Sequence, residues 1–152
     1  MVEYLLDNFS FKLNKDDFSQ QTPLFYSCRF NRGIRVSQLL LKAGCDPNHK
    51  DKYKQTCLFW AAGSGNLSLC ELLYDYGVNV AAVDVNRERA IAYAKKKDHS
   101  HVAEYLHSCQ HHMKRVREEQ KMRIQESSQQ SISMSRPKKR DQVSEYALIY
   151  TN

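Results

Sequence analysis

Apolar residues along this chain fall in short clusters, and the clusters return at a fixed interval. The stretch DKYKQTCLFWAAGSGNLSLCELLYDYGVNVAAVD runs from Asp51 to Asp84, an offset of 33, and Asp17 precedes Asp51 by 34. Five residues beyond each Asp stand Thr22, Thr56 and Arg89, and two further on Leu24, Leu58 and Ile91. Small residues follow (Ser27 and Cys28, Ala61 and Ala62, Ala94), then the pairs Leu40-Leu41, Leu72-Leu73 and Tyr105-Leu106. A fixed period of this length marks a repeat architecture, and each copy predicts two short antiparallel helices. Thr22 and Thr56 stand where a hydroxyl can accept from the unpaired N–H groups of a helix start. Pro23 follows at the first helical position, where its missing N–H does no harm. Gly65 turns the chain. Leu67, Leu69, Leu72 and Leu73 recur at helical spacing and mark the apolar side of the second helix. Gly44 and Gly77 close second helices. The extra residue of the first copy falls around Phe30–Gly33, a turn, where insertion costs least. No copy can bury its apolar face alone, so the copies must stack.

The segments QTPLFYSC, QTCLFWAAGSGNLSLCELLYDYGVNVAAVD and RAIAYAKKKDHSHVAEYL resemble ankyrin repeats. That pattern reads D-x-x-G-x-T-P-L-H-x-A-A-x-x-G-H, then an amphipathic helix ending L-L-x-x-G-A. The middle copy follows it over its whole length, with substitutions at single positions. The family's turn glycine is Gln20, Lys54 and Arg87 here, and its His is Phe25, Phe59 and Ala92. That His normally bridges neighbouring loops, so aromatic packing is expected to hold these loops instead. The third copy has lost Thr, Pro and the closing Gly, and carries Lys95–Lys97, as a polar end cap would. The resemblance implies an all-α fold: a short ankyrin-repeat solenoid with a C-terminal helical extension and a flexible tail. Residues 1–16 read as a partial or capping repeat, because Leu5-Leu6 and Asn14 align with the end of a copy whose first helix is missing. Repeats occupy 17–50 and 51–83, a degenerate capping repeat 84–110, a charged helical extension 111–126, and a polar, basic linker and tail 127–152. The chain either opens on a half-repeat cap or is a fragment of a longer array.

In such a stack the turn tips and first helices line a concave face. The resemblance places binding there, on tips Phe18–Gln21, Lys52–Gln55 and Val85–Glu88, and on inner-helix residues such as Arg29, Phe30, Ser64 and Lys97. Within the tips, Lys52, Tyr53, Gln55, Val85, Asn86 and Glu88 are the candidate contacts. Tyr26, Trp60 and Tyr93 share one position in successive copies and predict an aromatic ladder. It is either packing between repeats or an anchor for an apolar or cationic side chain. Some chromatin ankyrin domains hold methyl-lysine in such cages, so a histone tail is one candidate partner. Lys50, Lys52, Lys54 and Lys95–Lys97 make part of the rim basic, which is either a solvated face or a site for an acidic peptide. A nucleic-acid partner is not expected, and it would show steep salt dependence.

Composition narrows this further. Hydrophobic residues make up 41% of the 152 residues, and the formal net charge is +6. Residues 111–152 carry nine Lys and Arg against five Asp and Glu, so the excess is concentrated in the tail. Five cysteines without Cys-x-x-Cys spacing suggest reduced thiols of an intracellular protein. No apolar run approaches the ~18 residues of a spanning helix, and the acidic start lacks a secretion signal's basic residues. RPKKR at 136–140 resembles a short import signal, so a cytoplasmic or nuclear location is expected. His107 and His111 lie one helical turn apart but lack a third ligand in register. No phosphate loop, nucleophile elbow or paired metal motif appears, and neither cofactor nor catalysis is expected. Val102, Leu106, Cys109, Met113 and Val116 form a short heptad seam that Gln120 and Arg123 break, so a monomer with weak self-association through the tail helix is expected. The closing EYALIYTN is β-prone. Two functional classes follow. One is a binding module that recognises a partner segment and does no chemistry. The other is a non-catalytic N-terminal targeting domain of a larger chromatin or signalling enzyme.

Overall fold

The computed structural model describes residues 14–30 and 33–134, with side chains as far as residue 129. Six helices are described: α1 (Pro23–Arg29), α2 (Ile34–Lys42), α3 (Cys57–Gly63), α4 (Leu67–Asp75), α5 (Ala90–Lys96) and α6 (Ser100–Met134). No strand occurs among the described residues. The chain divides into two compact units, residues 1–113 and 114–152. The first holds the helix pairs. First helices pack side by side, α3 between α1 and α5, and second helices α2 and α4 back them. The fold is therefore all-α, a short solenoid of helical repeats.

The periodic apolar positions build its core. Leu24 and Phe25, Leu58 and Phe59, and Ala90 and Ala94 are buried on first helices. Leu40, Leu41, Leu69, Leu73, Val102 and Leu106 are buried on second helices. Ala61 and Ala62 are fully buried, which lets α3 lie close to its neighbours. Gly44 and Gly77 take φ of 95° and 78°, closing α2 and α4. There the Cys45 and Val78 amides donate back to Leu40 and Leu73 carbonyls, both at 3.0 Å. Gly65 has a second constraint besides its φ of 71°: a Cβ there would lie 2.6 Å from Nδ1 of His99.

Three expectations are corrected. Thr22 and Thr56 do precede helices, but their buried hydroxyls make no capping bond and have no hydrogen-bond partner among the described residues. The Phe25 and Phe59 amides instead donate to the Thr22 and Thr56 carbonyls, at 2.9 and 3.1 Å. Leu72 is only half-buried; the inward face of α4 is Leu69, Cys70 and Leu73, because a spacing of three to four residues admits Cys70 in place of Leu72. Finally, helix continues to Met134 rather than ending at Glu126. No Gly or Pro interrupts residues 100–134. The Ser127 and Ser128 hydroxyls, which fold back as donors onto the Ile124 carbonyl at 2.9 and 2.8 Å, fit within the helix.

Along the expected seam, Val102, Leu106 and Cys109 are buried, whereas Met113 and Val116 are exposed. All residues from 114 to 129 are exposed. Among the described residues no helix is long and apolar enough to cross a membrane. Leu5-Leu6, the RPKKR segment and EYALIYTN lie outside the described residues.

Candidate protein-interaction surface

Each tip is built by one aspartate. Asp17 Oδ1 accepts from the Ser19 and Gln21 amides at 2.7 and 2.9 Å. Asp51 Oδ1 accepts from Tyr53 and Gln55, both at 2.9 Å, and Asp84 Oδ1 from Asn86 and Glu88 at 2.8 and 2.9 Å. The turn then needs a left-handed residue, supplied by Gln20, Lys54 and Arg87 with φ of 58°, 59° and 61°. These are the family's glycine positions. Successive tips are tied through the backbone: the Lys52 amide donates to Ser19 O at 3.1 Å, and the Val85 amide to Tyr53 O at 3.0 Å.

A second layer lies beneath. The Tyr26 hydroxyl donates to Asp17 Oδ2 at 2.5 Å and the Tyr93 hydroxyl to Asp84 Oδ2 at 2.7 Å. Gln55 Nε2 donates to the Tyr93 hydroxyl at 2.7 Å, joining the middle copy to the third. The Tyr26 hydroxyl and the tip amides hold Asp17 below the usual carboxylate range. Burial pushes Asp84 up, but Tyr93 and the Glu88 and Asn86 amides outweigh it, and its pKa is lowered. Burial and the neighbouring Asp84 raise Tyr93 to about 12.

Aromatic contacts accompany the hydrogen bonds that tie the tips, rather than replacing them as the sequence suggests they would. Phe25 meets His49 edge-on at 6.2 Å, and His49 Nε2 also reaches Gln20 O at 3.0 Å. Phe59 meets Tyr93 edge-on at 5.4 Å. The ladder residues keep equivalent positions but do not stack on one another: among the described residues, no ring contact joins Tyr26, Trp60 and Tyr93. Trp60 is half-buried, packed against the core, and carries the Arg29 guanidinium 5.1 Å from its ring centroid. Lys52 lies 5.0 Å over Tyr53, and Lys96 lies 5.8 Å over Tyr93 while pairing with Glu88 at 2.7 Å.

None of the candidate contacts is buried. Tyr26, Arg29, Phe30, Lys52, Tyr53, Val85, Asn86 and Lys97 are exposed, and Gln55, Trp60, Ser64, Glu88 and Tyr93 are half-buried. Ser64 turns its hydroxyl inward, donating to Ala61 O at 3.0 Å. Phe18, at the first tip, is fully exposed, and with Tyr53 and Val85 gives each tip an apolar side chain in water. Sequence reasoning placed Phe18 in the tip without singling it out. Its signal is an aromatic directly after the turn aspartate.

Stacked helix pairs joined along a ribbon of tips, with apolar and basic side chains displayed there, define a helical-repeat interaction module. A family model for ankyrin repeats, three copies, matches residues 32–116. The chain belongs to the ankyrin repeat family, whose repeats bind other proteins and are not themselves catalytic. It is 35% identical over 77 residues to human Palmitoyltransferase ZDHHC17 and 32% identical over 77 residues to the zebrafish (Danio rerio) form. Each match covers 50% of this chain and 12% of the relative, so the chain spans a small part of those proteins. An ankyrin repeat protein of Acanthamoeba polyphaga mimivirus is 36% identical over 59 residues, 39% of this chain and 36% of that protein.

Proposed function

We propose that the tips and first helices receive a segment of another protein, and that this segment is acidic. The observation that supports this reading is the combination on one face of exposed apolar side chains with unneutralised cations. Phe18, Tyr53 and Val85 are exposed on successive tips. Lys52, Lys54 and Arg87 are exposed on the tips and Lys95 and Lys97 at the end of α5, and among the described residues none of these five is in an ion pair. Apolar anchors supply binding energy, while cations that no neighbouring carboxylate neutralises favour an acidic partner and speed its approach. The same cations weigh against a histone tail, which is itself cationic.

The test is capture of partners from cell extract by the wild-type chain, by Tyr53→Ala with Lys52→Ala, and by Glu71→Ala with Asp75→Ala on α4. Loss in the first double variant and retention in the second is expected. The reverse pattern moves the binding surface to the second helices and overturns the reading.

A second reading makes the repeats the non-catalytic targeting part of a larger enzyme. It draws on the likeness to a palmitoyltransferase, of which the matched stretch is 12%. A transcript that continues past Asn152 into a catalytic domain would support it; a stop codon there would end it.

A further inference from the structure

The three copies each set an aspartate and an aromatic nine residues apart: Asp17 and Tyr26, Asp51 and Trp60, Asp84 and Tyr93. In the outer copies the phenol closes on the carboxylate. In the middle copy an indole stands in the phenol's place, and Asp51 Oδ2 accepts from Gln21 Nε2 at 3.5 Å instead. The indole Nε1–H is buried and has no hydrogen-bond partner among the described residues. An unmet buried donor costs about 1–3 kcal/mol. The indole thus sets the middle copy apart from its two neighbours, and its exposed edge is where a further contact can form.

Arg29, from the last turn of α1, lies across this ring, 5.1 Å from its centroid. It is exposed and forms no ion pair among the described residues. A guanidinium resting on an aromatic face keeps its N–H edge available for bidentate capture of a carboxylate.

We propose that Arg29 and Trp60 form a carboxylate anchor, receiving an Asp or Glu side chain of an acidic peptide partner. The inference rests on the function proposed above and names the subsite within it. Arg29 supplies the fork of donors, and the exposed part of the half-buried indole fixes its orientation.

Trp60 is the sole tryptophan of the chain, so its fluorescence reports occupancy directly. The full chain is titrated with poly-L-glutamate at low salt. A saturable change in Trp60 emission is expected, with Arg29→Gln weakening binding about fivefold to tenfold and Lys54→Gln less than about twofold. Arg29→Lys keeps the charge but loses the fork, and about threefold weakening is expected. Circular dichroism checks that each variant folds; should Arg29→Gln fail, Arg29→Lys decides. Equal losses in the Arg29→Gln and Lys54→Gln variants would reveal a diffuse field and overturn the anchor. So would wild-type affinity in Arg29→Lys, or an oligothymidylate bound as tightly as poly-L-glutamate. A partner captured through the tips that still binds the Arg29→Gln chain would overturn the anchor and leave the interaction reading standing.

Discussion

Gln20, Lys54 and Arg87 hold left-handed backbone without being glycine. Such a conformation costs an L-residue roughly 1–2 kcal/mol, and the aspartate of each tip offsets it by gathering two amides on one oxygen. Glycine would remove the steric cost but loses more chain entropy on folding. Lys54→Gly is expected to raise stability by about 0.5–1 kcal/mol net, read from urea midpoints; a fall would show that the Lys54 side chain contributes more than its backbone costs. Asp84 makes the aspartate's share measurable. Its folded pKa lies below the ordinary 3.8. Its contribution is therefore present above pH 3.8 and lost as pH falls through the lowered folded value. The stability gap between wild type and Asp84→Asn should be full at neutral pH and close as acid passes that window; a gap independent of pH would mean the carboxylate's charge is not what holds the tip. Some of this was legible. The repeat register places the left-handed tip positions, but it does not show the behaviour of Thr22 and Thr56. Their carbonyls, not their hydroxyls, serve the third helical amide. This also explains why Arg89 can open α5 in the third copy: the Ala92 amide donates to the Arg89 carbonyl at 2.9 Å, and no hydroxyl is needed.

Helix α4 shows where periodicity stops being decisive. Four leucines at 67, 69, 72 and 73 span more than one face, and only packing selects among them. Leu73 is fully buried, whereas Leu72 is only half-buried against the core. Leu73→Ala is accordingly expected to cost ~2–5 kcal/mol in denaturant unfolding, and Leu72→Ala about half as much or less. Equal losses would mean that Leu72 shares the interior. Helix α6 carries the same lesson at its end. The change of composition at Ser127 looked like the end of order, yet serine can satisfy its hydroxyl against the preceding turn and stay helical. Composition alone does not distinguish a polar helix from a linker.

At the scale of the whole chain, the repeat was the most legible feature, because a period near 33 residues leaves its trace in every copy whatever the surface does. The candidate site was legible only as a location. Position in the copy told which residues face the tips, but whether Trp60 meets another aromatic or a cation depends on Arg29 from the copy before, and no spacing rule connects the two. The five cysteines add a property of the entire stack. Cys28, Cys57 and Cys70 are 0% exposed, Cys45 4% and Cys109 6%, and burial lifts the Cys70 thiol to about 12. Only an opened structure presents them as nucleophiles. Iodoacetamide is expected to label the native chain far more slowly than the urea-unfolded chain, with comparable rates as the result that would contradict this packing. The thiols thus act as a clock set into the interior: each alkylation, located by mass spectrometry, would date and place one moment at which neighbouring repeats came apart.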